Sequence, residues 1–186
     1  MGPVVQKLVA FQRRQIDRHL RQLSPQDRRL RFGSSMADAA IERYVNGIDF
    51  TRDNIFGILE HDMTLSGVAH LALDPGRDAA ELGLSVAPEL RGRGYGFALL
   101  HRARLRASAL CYERLYMHCL AENQVMIHLA RKAGMTVVTA SGKADAHIAL
   151  ERGRLADVAS EALHDQIALV DYLFKRQALW LTRERA

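Results

Sequence analysis

Apolar positions along this chain change their spacing several times, and each change marks an element. Leu8, Phe11, Ile16, Leu20 and Leu23 recur at roughly helical intervals, so residues from about Val5 to Leu23 are expected to be helix, with no strand legible before it. Ser24-Pro25-Gln26-Asp27 then reads as a helix start, with Ser as N-cap, Pro in the first position and Asp in the first turn. Ser34 or Ser35 is expected to cap a further helix that carries Ala39, Ala40, Ile41, Tyr44 and Val45 and stops at Asn46-Gly47. After that the period shortens to two. Strands are expected over 54–61, 64–73 and 80–86, with Asp74-Pro75-Gly76 as the turn between the second and third. A helix over 95–111, a strand over 114–120 and a helix over 122–133 follow, the last stopped by Gly134. Two strands, 135–140 and 144–150, close around Ser141-Gly142-Lys143. From Leu155 to about Leu181 the helical spacing returns through Leu155, Val158, Ala162, Ile167, Val170 and Phe174.

Three adjacent strands joined by short turns, followed by strand–helix–strand units, predict an α/β chain of the α+β kind. Its central sheet is mixed and mostly antiparallel, with helices flanking it. The 186 residues suit one domain over 1–153, with 154–186 as an extra C-terminal helix. The apolar stripe on that helix is not expected to face water. It would pack on the same domain or on a second subunit, so a homodimer is a possible assembly.

Composition changes this picture little. Apolar content of 48% and charged content of 25% are those of an ordinary soluble globular chain. No segment approaches the ~20 apolar residues of a membrane span, and the N-terminus has no signal-peptide stretch. Cys111 and Cys119 lack the spacing of a zinc site and read as free thiols, so a reducing cytoplasm is the expected location and no metal is expected. The net charge of +5 is largely arginine and does not by itself separate acidic ligands from nucleic acid. The sets Arg13, Arg14, Arg18, Arg21 and Arg102, Arg104, Arg106 read as solvated helix faces.

The chemistry concentrates at Arg91-Gly92-Arg93-Gly94-Tyr95-Gly96, where a strand runs into a glycine turn that opens a helix. Such a turn aims backbone N–H groups and the positive end of a helix dipole at one small volume, and a phosphate or pyrophosphate suits it. Glycines lack Cβ, so phosphate oxygens can approach the backbone, and each charge-assisted N–H bond there is worth roughly 1.5–3 kcal/mol. Arg91 and Arg93 can add charge. A P-loop would need Gly-Lys-Ser/Thr at the helix start, which is absent. A dinucleotide fingerprint would need a third glycine where Phe97 or Leu99 stands. An Arg-Gly segment that binds RNA would be longer and disordered, so nucleic acid is not the expected partner.

The element order and this turn resemble the GNAT acetyltransferase superfamily. Its signature, Gln/Arg-x-x-Gly-x-Gly/Ala, is filled by Arg91, Gly94 and Gly96. A second match lies downstream, where Asn123, Lys132, Gly134 and Met135 stand at places the family often fills with Asn, a basic residue and Gly-Phe. The resemblance covers about residues 24 to 150. Leu23-Ser24-Pro25 through Arg31-Phe32 is also similar to the start of GNAT domains related to bacterial protein-lysine acetyltransferases. The N-terminus departs from the family in showing no first strand.

The resemblance implies acetyl-CoA as co-substrate. Its pyrophosphate would sit on Arg91 to Gly96, its pantetheine arm along the backbone of Leu84, Ser85 and Val86, and Asn123 would be a side-chain donor. Asn123 is equally readable as a helix cap. Transfer to a primary amine, small molecule or protein lysine, would be direct, in a ternary complex. A lysine-like amine of pKa ~10.4 is mostly protonated near neutral pH, so a general base helps. Glu81 matches the catalytic Glu of protein-acetylating members and alternates with Gly83 and Ser85 on one strand face. Where many members carry a Tyr that protonates the departing thiolate, this chain has Ala130. Either the thiolate leaves unaided, or Tyr95, Tyr116 or Cys119 reaches it, or the domain binds or senses acyl-CoA without transfer. His128 lies about 200° around the helix from Ala130 and is a poor substitute. His70 and His118 are expected to be packed, hydrogen-bonded residues, with an acceptor-lining role as the alternative.

Overall fold

The computed structural model describes residues 2–151, 153 and 155–183. Its first element departs from the helical expectation. Gln6–Leu8 is a strand, β1, and the helix α1 runs only over Arg13–Gln22, after a short 3-10 turn. β1 pairs antiparallel with β2 (Asn54–Leu59) through Gln6↔Gly57 and Leu8↔Ile55. The edge of β2 has N–H and C=O groups that need partners, and this outweighs the helical spacing of a short segment. Gly57 makes room for the pairing, because a Cβ there would meet Leu8 Cδ1 at 2.8 Å and Leu65 Cδ1 at 2.6 Å.

The helix α2 (Pro25–Phe32) begins as the sequence predicts, with Ser24 accepting from the Asp27 N–H, and ends at Gly33 with φ +78°. The helix α3 spans Asp38–Asn46, two or three residues later than the serines suggest, and Ala37 at its N-cap makes no side-chain cap. Arg28 explains the delay. It donates to the Leu23 and Met36 carbonyls at 3.1 and 2.9 Å and pairs with Asp38 at 2.7 Å, holding residues 33–37 as a turn.

β3 (Leu65–Asp74) and β4 (Ala79–Val86) extend the sheet antiparallel. α4 (Tyr95–Ala109) crosses over to β5 (Arg114–Leu120), which lies parallel to β4. α5 (Gln124–Lys132), β6 (Thr136–Ala140) and β7 (Lys143–Ala149) complete the order β1-β2-β3-β4-β5-β7-β6. The sheet is mixed, mostly antiparallel and flanked by helices. Phe56, Leu71, Leu82, Leu99, Leu100 and Met117 form the core beneath α4 and α5. Ile16, Leu20, Ile41, Val45, Ile55 and Val68 form a second core beneath α1 and α3.

The last helix, α6 (Leu155–Arg183), packs against α4 and β1. Its docked face is the polar one. Arg102 of α4, only 1% exposed, donates to Glu161 at 3.1 Å, pairs with Asp165 and stacks 5.0 Å from the Phe56 ring centroid. Arg106 adds a 3.2 Å contact to Glu161. These two arginines are therefore not on a solvated face, as their spacing suggests, because the fold supplies carboxylates from a helix distant in sequence. The expected apolar stripe instead faces out: Val158, Ile167, Val170 and Phe174 are 44–68% exposed. The Leu155 side chain lies outside the described residues. No helix among the described residues is long and apolar enough to cross a membrane.

Candidate active site

β4 and β5 pair only through Ala79↔Arg114, Ala80↔Leu115 and Glu81↔Tyr116. Beyond Glu81 the strands part, β5 staying with β7, so the edge of β4 over Leu82 to Val86 is left open toward β5. The wedge becomes a cleft of about 370 Å³. One wall is Leu84, Ser85 and Val86. The glycine turn with Tyr95 and Phe97 closes one end, Asn123, Met126 and Leu129 come from α5, and Asp27, Leu30 and Arg31 come from α2.

Gly92 and Gly94 have φ of +74° and +84°, values that favour glycine, and a Cβ at either would point into open space. Gly94 is the N-cap of the fifteen-residue α4, so the first free N–H groups of that helix face the cleft. Gly96 sits on the cleft floor, where a Cβ would touch Leu129 at 3.4 Å. Arg91 lines the cleft but is already engaged, with Asp27 at 2.8 Å and the Val86 carbonyl at 3.2 Å. Arg93 is exposed and outside the lining. Asn123 does what the cap reading requires, accepting from the Met126 N–H at 3.1 Å, and its amide donates to the Leu30 carbonyl at 3.4 Å. It lines the cleft as well.

Glu81 is exposed on the face of β4 away from the first core, beside the point where the strands part. Burial, and next the charge of Glu81, raise the Tyr116 hydroxyl above its ordinary range. Ala130 is 1% exposed and packs in the core. Of the side chains weighed in its place, Tyr95 lines the cleft, but its hydroxyl donates to Glu60 at 3.1 Å. Burial and then that bond raise its pKa. Tyr116 and Cys119 lie outside the cleft lining, and burial raises the Cys119 thiol. His128 lines the cleft on the face of α5 away from Ala130.

Sequence reasoning missed His19. This 3% exposed residue of α1 joins the helix to two strands. Nδ1 donates to the Leu65 carbonyl at 2.9 Å, so Nε2 is the acceptor for the Ser85 hydroxyl at 3.0 Å, fixing Ser85 in the cleft wall. Burial lowers the His19 pKa from 6.5 to about 4. The unfolded chain therefore binds a proton below pH 6.5 that the folded one refuses until about pH 4, and stability falls as pH falls through that window. The loss amounts to about 3 kcal/mol. Urea unfolding should show it, with a His19→Gln variant about one proton less steep between these limits. Equal slopes would refute a neutral, buried His19.

His70 is packed as expected. Its Nε2 donates to Asp53 at 3.0 Å and Nδ1 accepts from the Tyr44 hydroxyl at 2.6 Å. Burial lowers its pKa against the pull of Asp53. Asp53 stays below its ordinary range despite burial, through the bonds from Arg52 and His70. His118 is not packed. It stands exposed on β5, 2.5 Å from Asp145, because strand alternation gives the core side to its neighbour Met117. No group of three or more His, Cys, Asp or Glu among the described residues is arranged to hold a metal.

The acetyltransferase (GNAT) family model matches residues 19–135, more than half of the chain. The chain belongs to the GNAT acetyltransferase family. Solved GNAT structures share its fold. The GNAT domain of S. lividans PAT superposes with a TM-score of 0.67 at 19% identity, over 78% of this chain and 89% of that one. A GNAT superfamily phosphinothricin acetyltransferase from Sinorhizobium meliloti, solved with AcCoA, gives 0.65 at 19% identity over 81% and 90%. Spermidine N-acetyltransferase from Vibrio cholerae, solved with CoA and spermine, gives 0.62 at 19% identity over 78% and 94%. Among curated proteins none matches this chain in sequence. As a GNAT enzyme it is a transferase, and the wedge between β4 and β5 is where its fold leaves strand backbone, helix N-terminus and glycine turn facing one volume.

Proposed function

We propose that this GNAT protein moves an acetyl group from acetyl-CoA to a primary amine by direct transfer in a ternary complex. The observation that carries this reading is the open edge of β4 meeting the N-terminus of α4 in one cleft. Pantetheine amides would pair with Leu84, Ser85 and Val86. The pyrophosphate would rest on the N–H groups of Gly92 to Gly96, with Arg91 and Arg93 at its rim. Asn123 would hold the α5 side through its position, since its amide is already bonded. Glu81 would take the amine's proton through water, consistent with its exposure beside the strand parting. A cytoplasmic setting fits its free thiols.

Calorimetric titration with acetyl-CoA, followed by thiol release over a panel of primary amines, tests the proposal. Glu81→Gln should lower turnover most near neutral pH, with the gap closing toward about pH 9 as the free amine grows. Equal rates for both proteins across that range would rule Glu81 out. The buried Ala130 favours a second reading, an acyl-CoA-binding or sensing protein without useful transfer. Binding with no thiol release for any amine would select it.

The domain over 1–153 would carry this chemistry alone, and α6 would bring a second copy of the chain. Leu163, Ile167, Val170, Phe174 and Leu181 are all exposed and spaced by four, three, four and seven, the repeat that packs one helix on another. Sedimentation at rising concentration should give twice the chain mass, and a monomer throughout would refute the pairing.

A further inference from the structure

Two cations in the cleft wall, Arg31 and Lys132, have no ion pair among the described residues, and Lys132 stands over the Phe97 ring. Arg28 pairs with Asp38, Arg29 with Glu122 and Arg91 with Asp27. Arg31, in the last turn of α2, lines the same cleft, yet no carboxylate among the described residues lies within ion-pairing reach of it. Its partners are the Tyr44 hydroxyl, which accepts from Nη2 at 3.3 Å, and the Phe32 ring, 4.8 Å from Cζ. The guanidinium lies flat on Gly83. A Cβ there would overlap Cζ, Nη1 and Nη2 at once. Its charge works against protonation of both His19 and His70. A half-buried guanidinium with only neutral partners favours an anion that can use its planar fork.

Its place along β4 says which anion. Gly83 lies three residues before Val86, roughly 10 Å up the strand from the end that leads into the glycine turn. Arg31 therefore stands at the parting of β4 and β5, away from the end where the pyrophosphate would sit. Glu81 is two residues further on the same face, roughly 6.6 Å away along the strand, and is not paired with Arg31. A positive group over Gly83 and a negative group further along the same strand face complement a small zwitterion.

We infer that the acceptor is an amine that carries a carboxylate a few bonds from its nitrogen, an amino-acid-like molecule whose carboxylate is held by Arg31. The inference rests on the acetyl-transfer reading above. The ammonium loses one proton to Glu81 and on to water, and its lone pair forms the C–N bond. The C–S bond breaks with its electron pair on sulfur, and the second nitrogen proton ends on the thiol.

Two variants separate charge from fold. Arg31→Gln removes the cation. Gly83→Ala keeps it but pushes the guanidinium aside, a small change because the displaced atoms are the far end of a flexible side chain. Calorimetry on the CoA-loaded protein should show N-acetylglycine binding about ten-fold more tightly than N-acetylglycinamide, a difference that shrinks to near parity in both variants. Acetyl transfer to amino acids should likewise exceed transfer to their amides and to diamines in kcat/KM. Equal binding of acid and amide by the natural chain, or a preference that survives Arg31→Gln, would overturn the inference. Should the protein bind no CoA, the cofactor reading fails by itself, and the same titration on the free protein still decides whether Arg31 selects a carboxylate.

Discussion

Arg102→Ala is expected to lower the folding free energy by about 3–5 kcal/mol, read as a shift of the urea midpoint. Arg102 is among the largest fully buried side chains of the described residues, and it joins two helices far apart in sequence. Removing it takes away the bonds to Glu161 and Asp165 and the contact with the Phe56 ring. It also leaves Glu161, 7% exposed, with Arg106 as its remaining ion pair among the described residues and Lys7 farther off. The stranded carboxylate, more than the lost attraction, dominates such a cost. Arg102→Met with Glu161→Leu should recover most of the loss, since apolar groups of similar volume need no partner. A single variant within about 1 kcal/mol of the natural chain would mean that water reaches the pair and screens it.

The second large effect falls on the glycine turn. Gly94→Val should weaken acetyl-CoA binding by at least about 30-fold in a calorimetric titration, the loss of one or two charge-assisted bonds. The position has φ +84°, which a β-branched residue rarely adopts, and its new Cβ would enter the cleft where phosphate oxygens need to come. The turn faces open space, so the fold should lose only about 1–2 kcal/mol. Small loss of stability with large loss of affinity is the signature of a ligand cradle. Unchanged affinity would move the pyrophosphate elsewhere.

Much of the cleft was legible because its parts are local. Arg91 to Gly96 announce a positive-φ turn, and the strand before and helix after them follow from spacing alone. Ser24 and Pro25 likewise give away the start of α2. What escaped the sequence depends on partners distant in the chain. β1 exists because β2 offers an edge, and three residues cannot outvote the helical spacing around them. His19 is ordinary among the polar positions of α1 until Leu65 and Ser85 surround it. Arg102 sits in a row of arginines whose burial is decided by Glu161, some sixty positions away. The stripe on α6 was visible, but spacing cannot say which face of an amphipathic helix its own domain will take, and here the carboxylates claimed it.

The three β4–β5 pairs carry a further consequence. Strands β2 to β4 are zipped antiparallel by short turns, with β1 added to the β2 edge across three helices, and β5, β7 and β6 form another antiparallel set. Among the described strands that short parallel contact stitches the two sets into one sheet, with α4 and α2 each touching both β4 and β5. Three register pairs make that stitch, against eight between β3 and β4 and seven between β5 and β7, so it is a line along which the sheet is held weakly. Amides along the seam should therefore exchange with solvent through openings that leave both halves folded, and whatever fills the wedge clamps the halves together and slows that breathing.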